Sequence, residues 1–387
     1  MTTRRQFIKN GSVAAAALAA PMINVGRFRV FADPRIEYSE RAVRLVRETT
    51  VVDMLNAFED YRRTPGGEDL STFWLRRPSG FTEKDLRPFR ETGISVFSLG
   101  WNGDGSYEHS LDWMSHFNGF IATHDDWFMR VDEAEDLRRV KASGKLGILL
   151  SAQNSNHFRK LDDVDYFYGL GQRVSQLTYN KRNMIGNGAF ERRDEGLSDY
   201  GLQVVERMNK VGMAIDVSHC GDRTTLDAIE SSKGPVLITH ATCRALIPNH
   251  PRAKTDEAIR KLAAKGGVMG IAFVRFMVRS QEPTTVEHLL DHFDYAVKLV
   301  GPEHVGVGTD YPLYGVDAVD PARRDRERAG MDPRYGAAGR RDQLDGIDDI
   351  KRIYDLTEGL IRRKYSDASI RLILGDNFRR VLSELWV

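Results

Sequence analysis

The sequence predicts an α/β protein with the (β/α)8 architecture of a TIM barrel, and three observations carry that expectation. Short apolar runs alternate with amphipathic helical stretches from Thr49 to Thr309. Most of the runs are continuously apolar, as parallel strands are when helices cover both faces of a sheet. Polar side chains capable of chemistry gather at the carboxyl ends of the runs, the end at which such a barrel opens to substrate.

In chain order the strands are expected at Thr49–Leu55, Ile94–Leu99, Leu146–Ser151, Arg173–Thr178, Met213–Ser218, Pro235–Thr239, Gly267–Phe273 and Val305–Thr309. Helical periodicity separates them. The stretch Ser198–Gly212 begins with an N-cap serine, carries Lys210 in its last turn and ends on a glycine, which are the start and stop signals of a helix. Asp222–Glu230, Thr255–Ala264 and Thr284–Val300 repeat the theme. A doubly wound open sheet is the competing architecture, but no glycine-rich phosphate turn follows the first strand. We therefore expect a single barrel domain over residues 33–387, with a long loop at 311–344 rich in Gly, Pro, Arg and Asp, and helices at the carboxyl end.

The chain has 387 residues, enough to bury one large core, and is 41% hydrophobic and 29% charged with no low-complexity tract. Its net charge of +1 conceals an asymmetry. All five charges in residues 1–32 are basic (Arg4, Arg5, Lys9, Arg27, Arg29), and without them 51 basic residues face 55 acidic ones. Such a balance gives no nucleic-acid footprint. Residues 1–32 read as a twin-arginine-type export signal: Arg4-Arg5 precedes an alanine-rich stretch from Val13 to Ala20, and Val30-Phe31-Ala32 offers a small-residue cleavage site. A periplasmic or secreted protein is expected. No later apolar run approaches the ~20 residues that span a bilayer, so no stable membrane span is expected after cleavage. The two cysteines, Cys220 and Cys243, make no disulfide framework, although an oxidising compartment would allow one bond between them. His109, His116 and His124 read as exposed polar residues.

The chemistry-bearing residues at strand ends are Asn56, Gln153, Asn154, Tyr179, Asn180, His219, His240 and Asp310. Two histidines on consecutive strands, facing an aspartate from the eighth, point to a site rather than to core packing. Neutral imidazole nitrogens suit a divalent metal. A metal-free cluster of Asp310, His219, His240 and Tyr179 is equally sound chemistry for proton transfer, isomerisation or elimination. Arg252 has the planar fork that clamps a carboxylate.

Several segments resemble the renal, or membrane, dipeptidases of peptidase family M19. They are Gly-Met-Ala-Ile-Asp-Val-Ser-His219, Pro-Val-Leu-Ile-Thr-His240, Asn-His-Pro-Arg252-Ala-Lys-Thr-Asp-Glu, Val-Gly-Val-Gly-Thr-Asp310, Gln-Leu-Thr-Tyr-Asn180 and Leu-Gly-Asp-Asn-Phe-Arg-Arg380. The resemblance implies a metallo-dependent-hydrolase barrel with a binuclear zinc site. One zinc would sit on a His-x-Asp pair after strand one and the other on two histidines after strands five and six, with a glutamate after strand three bridging both. A histidine after strand four and an arginine would hold the substrate, and an aspartate after strand eight would move the proton. Carried onto this chain, His219 and His240 are the metal ligands, Arg252 the substrate arginine and Asp310 the proton-transfer group. The rest departs from the pattern. Leu55-Asn56-Ala57 stands at the His-x-Asp position, Gln153 at the bridging glutamate and Tyr179 at the strand-four histidine, while Asp53 survives without being a zinc ligand.

With those ligands gone, two zincs in the family's manner are not expected, because Zn²⁺ takes thiolate, imidazole and carboxylate donors. The expectation is at most one divalent ion, zinc or another, on His219 and His240, with no metal as the alternative. Asp310 or a cysteine is the remaining source of a third ligand. Cys220 follows a histidine directly and should point into the barrel wall, whereas Cys243 lies in the loop after His240 and within reach of the site. The functional expectation is an exported dipeptidase-like hydrolase of small peptide-like or amino-acid-like substrates. Such a substrate would be held through its carboxylate by Arg252, with Tyr179, Gln153 and Asn180 lining the site and Asp310 and Tyr179 doing the chemistry. The alternatives are a metal-free acid–base isomerase or lyase, and a non-catalytic binding protein of the cell envelope. Expected partners are the small substrate, the twin-arginine translocase and a second copy of the chain.

Overall fold

The structure, a computed structural model, describes residues 38–101, 106–315, 343–347 and 349–386. The export signal and most of the loop expected at 311–344 lie outside the described residues. The eight expected strands all form: β1 (Val52–Asp53), β2 (Val96–Trp101), β3 (Leu146–Ala152), β4 (Gln172–Gln176), β5 (Ala214–Asp216), β6 (Leu237–Ala241), β7 (Val268–Ile271) and β8 (Val305–Val307). Each pairs in parallel with its neighbour, and β1 pairs with both β2 and β8, so the sheet closes on itself. It is a TIM barrel.

Two small ladders were not expected. Phe128–Arg130 adds a parallel strand beside Leu146–Ile148 of β3. Asn56–Ala57 pairs with Tyr311–Pro312, which extends the contact between the ends of β1 and β8 toward the mouth of the barrel.

The helices follow from local chemistry. Helix Asp199–Val211 starts on Ser198, whose hydroxyl accepts from the Gly201 amide at 2.9 Å, and stops at Gly212, which takes the left-handed conformation. Helix Asp256–Ala264 is capped by Thr255 in the same way. Helices Asp222–Ser231 and Val286–Val300 lie where the periodicity placed them. Arg352–Arg362, Asp367–Arg371 and Asn377–Leu385 complete the carboxyl end. Outside the barrel an aromatic cluster surrounds Phe58, which stacks on Phe89 at 4.3 Å and meets Phe97, Phe117, Phe120 and Phe128 edge-on. This cluster clamps the segment after β1 and so fixes the ends of β1 and β2. Among the described residues no helix is long and apolar enough to cross a membrane.

Candidate active site

The carboxyl ends of β5 and β6 bring His219 and His240 together, with their Nε2 atoms 2.9 Å apart. Both are buried. Burial, reinforced by the charge of Arg252, holds both imidazoles well below the ordinary histidine pKa, so they are neutral at physiological pH. The outer nitrogens are engaged as well. His219 Nδ1 meets Asn180 Oδ1 at 2.7 Å and His240 Nδ1 meets Thr239 Oγ1 at 2.8 Å. The Tyr179 ring stacks on His219 with centroids 4.1 Å apart. Tyr179 and Asn180 therefore belong to the same cluster as the histidines.

Arg252 is 1% exposed. Its guanidinium donates to the Ser218 carbonyl and, at 3.4 Å, to the His240 carbonyl. Its charge acts on His219, His240 and Asp310 alike, which places it among them. Lys254, two residues on, is buried too. Its ammonium donates to the carbonyls of Val217 at 2.6 Å and Cys220 at 2.9 Å and to Thr225 Oγ1 at 3.1 Å. Burial lowers its pKa to about 8.

Asp310 follows β8 in the left-handed region, with φ 55°, a conformation that aspartate and asparagine tolerate better than most residues. Its amide donates to the Leu55 carbonyl at 2.8 Å. Two residues earlier, Gly308 must be glycine, since a Cβ there would lie 1.8 Å from the Thr239 carbonyl oxygen. That close approach lays the end of β8 against β6, beside His240. Burial pushes the Asp310 carboxyl up to about 7, with Arg252 pulling down and Asp53 and Glu59 pushing further up. Asp53 is fully buried. It accepts from Thr309 N at 2.8 Å, Thr309 Oγ1 at 2.6 Å and Asn56 Nδ2 at 2.8 Å, so it orients both flanks of Asp310.

Where the resemblance implies a first zinc, this chain presents carbon. A Cβ on Gly100, at the end of β2, would lie 2.8 Å from both Leu55 Cδ1 and Gln153 Cγ. Leu55 and the Gln153 stem thus close over the bare glycine. Asn56 is committed to Asp53, and Asn154 accepts from Asn183 Nδ2 at 3.0 Å. Among the described residues no three His, Cys, Asp or Glu side chains are grouped to hold a metal. The convergence of the His219 and His240 nitrogens is the arrangement here that suits a metal, while Leu55 and Gln153 offer no anionic ligand beside it.

Some expectations require correction. Cys220 and Cys243 are separate, buried free thiols, not a disulfide. Cys243 does not turn to the site. Its amide donates to His292 Nδ1 at 3.1 Å and its Sγ lies 3.7 Å from the His292 carbonyl, in surroundings that raise its pKa to about 12. Cys220 sits in the wall and accepts from Thr178 Oγ1 at 3.3 Å. His124 is buried rather than exposed, with Nε2 2.7 Å from the Pro78 carbonyl and its ring stacked on Trp127. The sequence reading assigned no role to Asp216, Ser218, Thr239 or Lys254. The signal was the polar residues embedded in the apolar runs that end in His219 and His240.

These strand ends match a known family along most of the chain. A model of the membrane dipeptidases, peptidase family M19, covers residues 81–321. The chain belongs to that family. It is 26% identical over 266 residues to the dipeptidase tcpJ of Claviceps purpurea, covering 68% of this chain and 56% of that protein. It is 28% identical over 291 residues to the dipeptidase verJ of Clonostachys rogersoniana, covering 73% of this chain and 67% of the relative. The match thus spans little more than half of the first relative and about two thirds of the second. Among solved structures it is similar to an amidohydrolase from Pseudomonas aeruginosa, with TM-score 0.75 and 26% identity over 89% of this chain and 99% of that one. A metallo peptidase from Rhodobacter sphaeroides, liganded with a phosphinate mimic of the dipeptide L-Ala-D-Ala, shares the fold with TM-score 0.68 and 18% identity over 87% of this chain and 100% of that one.

Proposed function

We propose that this member of the membrane dipeptidase family is a hydrolase of small peptide-like or amino-acid-like substrates whose metal centre has contracted to at most one ion. The observation that carries the reading is the closure of Leu55 and Gln153 over Gly100, next to an intact group of His219, His240, Arg252 and Asp310. Family membership supports the hydrolase class, and the donor set supports the contraction.

In this reading the guanidinium of Arg252 takes the substrate carboxylate, a planar partner for a planar fork. Asp310 has a pKa raised to about 7, and so is poised to accept a proton from the attacking water and return it to the leaving amine. Tyr179 covers His219 and shields that imidazole from water. His219 and His240 would hold the one divalent ion, which supplies polarisation of the scissile carbonyl. Gln153 and Asn180 line the pocket as neutral hydrogen-bonding groups. The Arg4-Arg5 segment supports export through the twin-arginine translocase and a place in the periplasm or outside the cell. A second reading, a metal-free acid–base isomerase or lyase, is favoured by one observation: the charge of Arg252 acts both on a carboxyl raised to about 7 and on two neutral imidazoles.

Incubating the purified full chain with a panel of dipeptides and N-acyl amino acids, with and without one equivalent of zinc, tests the proposal. Zinc-stimulated release of a free amine supports it. A product isomerised or eliminated at equal rate with and without chelator sinks it in favour of the second reading.

A further inference from the structure

Beneath His240 runs a buried hydrogen-bond line whose direction is set at its far end. The Asp216 Oδ1 atom accepts from Ser218 N at 2.9 Å, Ser218 Oγ at 2.6 Å and Thr239 N at 3.0 Å, and Oδ2 accepts from Thr239 Oγ1 at 2.7 Å. Thr239 Oγ1 in turn lies 2.8 Å from His240 Nδ1. The His240 amide donates to Ser218 Oγ at 3.1 Å, so the same carboxylate anchors the backbone of the histidine as well. Asp216, Ser218, Thr239 and His240 are each at most 3% exposed.

We propose that Asp216, acting through the Thr239 hydroxyl, is a positioning residue that holds His240 as its Nδ1–H tautomer and leaves the Nε2 lone pair facing His219. Burial raises the Asp216 pKa above the ordinary carboxylate value, and the four converging donors oppose that rise by favouring the ionised form. An ionised carboxylate accepts and cannot donate. Ser218 Oγ lies 3.1 Å from Thr239 Oγ1 but gives its own proton to Asp216 Oδ1, so the Thr239 proton goes to Oδ2 and the Thr239 oxygen accepts from Nδ1. His219 has no such lock. Its Nδ1 faces the carboxamide of Asn180, which carries both a donor and an acceptor and serves either tautomer by turning over. One imidazole is fixed, and its partner adapts to whatever cation lies between them.

The same logic predicts an unusual response to an isosteric change. In Asp216→Asn the three donors on the Oδ1 side keep the carboxamide oxygen in place. The amide NH2 then faces Thr239 Oγ1, whose hydroxyl must turn to donate to His240 Nδ1. His240 switches to the Nε2–H tautomer, as the histidine of a serine-protease triad does when its buried aspartate becomes asparagine.

Long-range proton–nitrogen correlation NMR on the full chain labelled with [15N]histidine reads this directly, with His240→Gln to assign the signals and circular dichroism to confirm folding. Expected are a protonated Nδ1 in the unsubstituted protein and in Thr239→Ser, a mixture in Thr239→Val, and a protonated Nε2 in Asp216→Asn. A protonated Nε2 in the unsubstituted protein, or an unchanged pattern in Asp216→Asn, overturns the proposal. Should Asp216→Asn fail to fold, the Thr239 pair decides: identical tautomers in Thr239→Val and Thr239→Ser overturn it equally.

Discussion

The amide of Asp310 donates to the carbonyl of Leu55 at 2.8 Å, which ties the acid at the end of β8 to the residue standing where a zinc-binding histidine would be expected. The ends of β8 and β1 share a backbone bond. Changes in one are thus felt in the other, and the effects below are expected to couple rather than add.

Metal content is the first test. Protein purified without added zinc should carry no more than one tightly held divalent ion per chain, because His219 and His240 are the strong ligands that remain. Elemental analysis giving two ions per chain would defeat the ligand argument.

Ordinary L-dipeptides should be poor substrates. Without a second ion and a bridging carboxylate, several kcal/mol of transition-state stabilisation are missing, or roughly 10³-fold in rate. Restoring Leu55→His, Ala57→Asp and Gln153→Glu together should increase zinc uptake, measured by titration against a chromogenic chelator. No gain in binding would argue that the space over Gly100 cannot reopen.

Asp310→Asn should abolish turnover while the fold is kept, since asparagine also tolerates the left-handed conformation. Folding raises this carboxyl from 3.8 to about 7, so the folded chain keeps a proton that the unfolded chain releases across that interval. Stability must therefore fall as pH rises from about 4 to 7 and level off above. The slope is at most about 1.4 kcal/mol per pH unit. Asp310→Asn should thus raise the thermal midpoint at pH 8 and leave it unchanged at pH 4. The reverse ordering in a pH series of melts would remove the aspartate's buried proton from the account.

Arg252→Lys exchanges a two-pronged carboxylate contact for a point charge. KM for a carboxylate-bearing substrate should rise by about tenfold or more while kcat is largely retained, the signature of lost ground-state binding. A fall in kcat at constant KM would assign Arg252 to the transition state instead.

The barrel was legible because its signal is local. Each of the eight strands is an apolar run bounded by helical periodicity, and capping residues such as Ser198 and Gly212 mark the ends. His219, His240 and Asp310 were legible because they terminate those runs. Asp216 and Thr239 were not, because their roles exist only once β5 lies beside β6, and a polar residue within an apolar run reads as ordinary interior. The strand Phe128–Arg130 is too short to stand out from its surroundings. Cys243 was misread for a related reason. Sequence proximity to His240 said nothing of His292, 49 residues on, which holds it away.

The bond from Thr309 N to Asp53 joins residues 256 positions apart and seals the seam between the last strand and the first. Contacts of such separation carry a large loop-closure cost and form late. On the proposed reading, a chain that has assembled every strand but the eighth lacks the carboxylate of Asp310. On that reading, turnover would report complete ring closure, and a chain truncated before its eighth strand would be chemically silent.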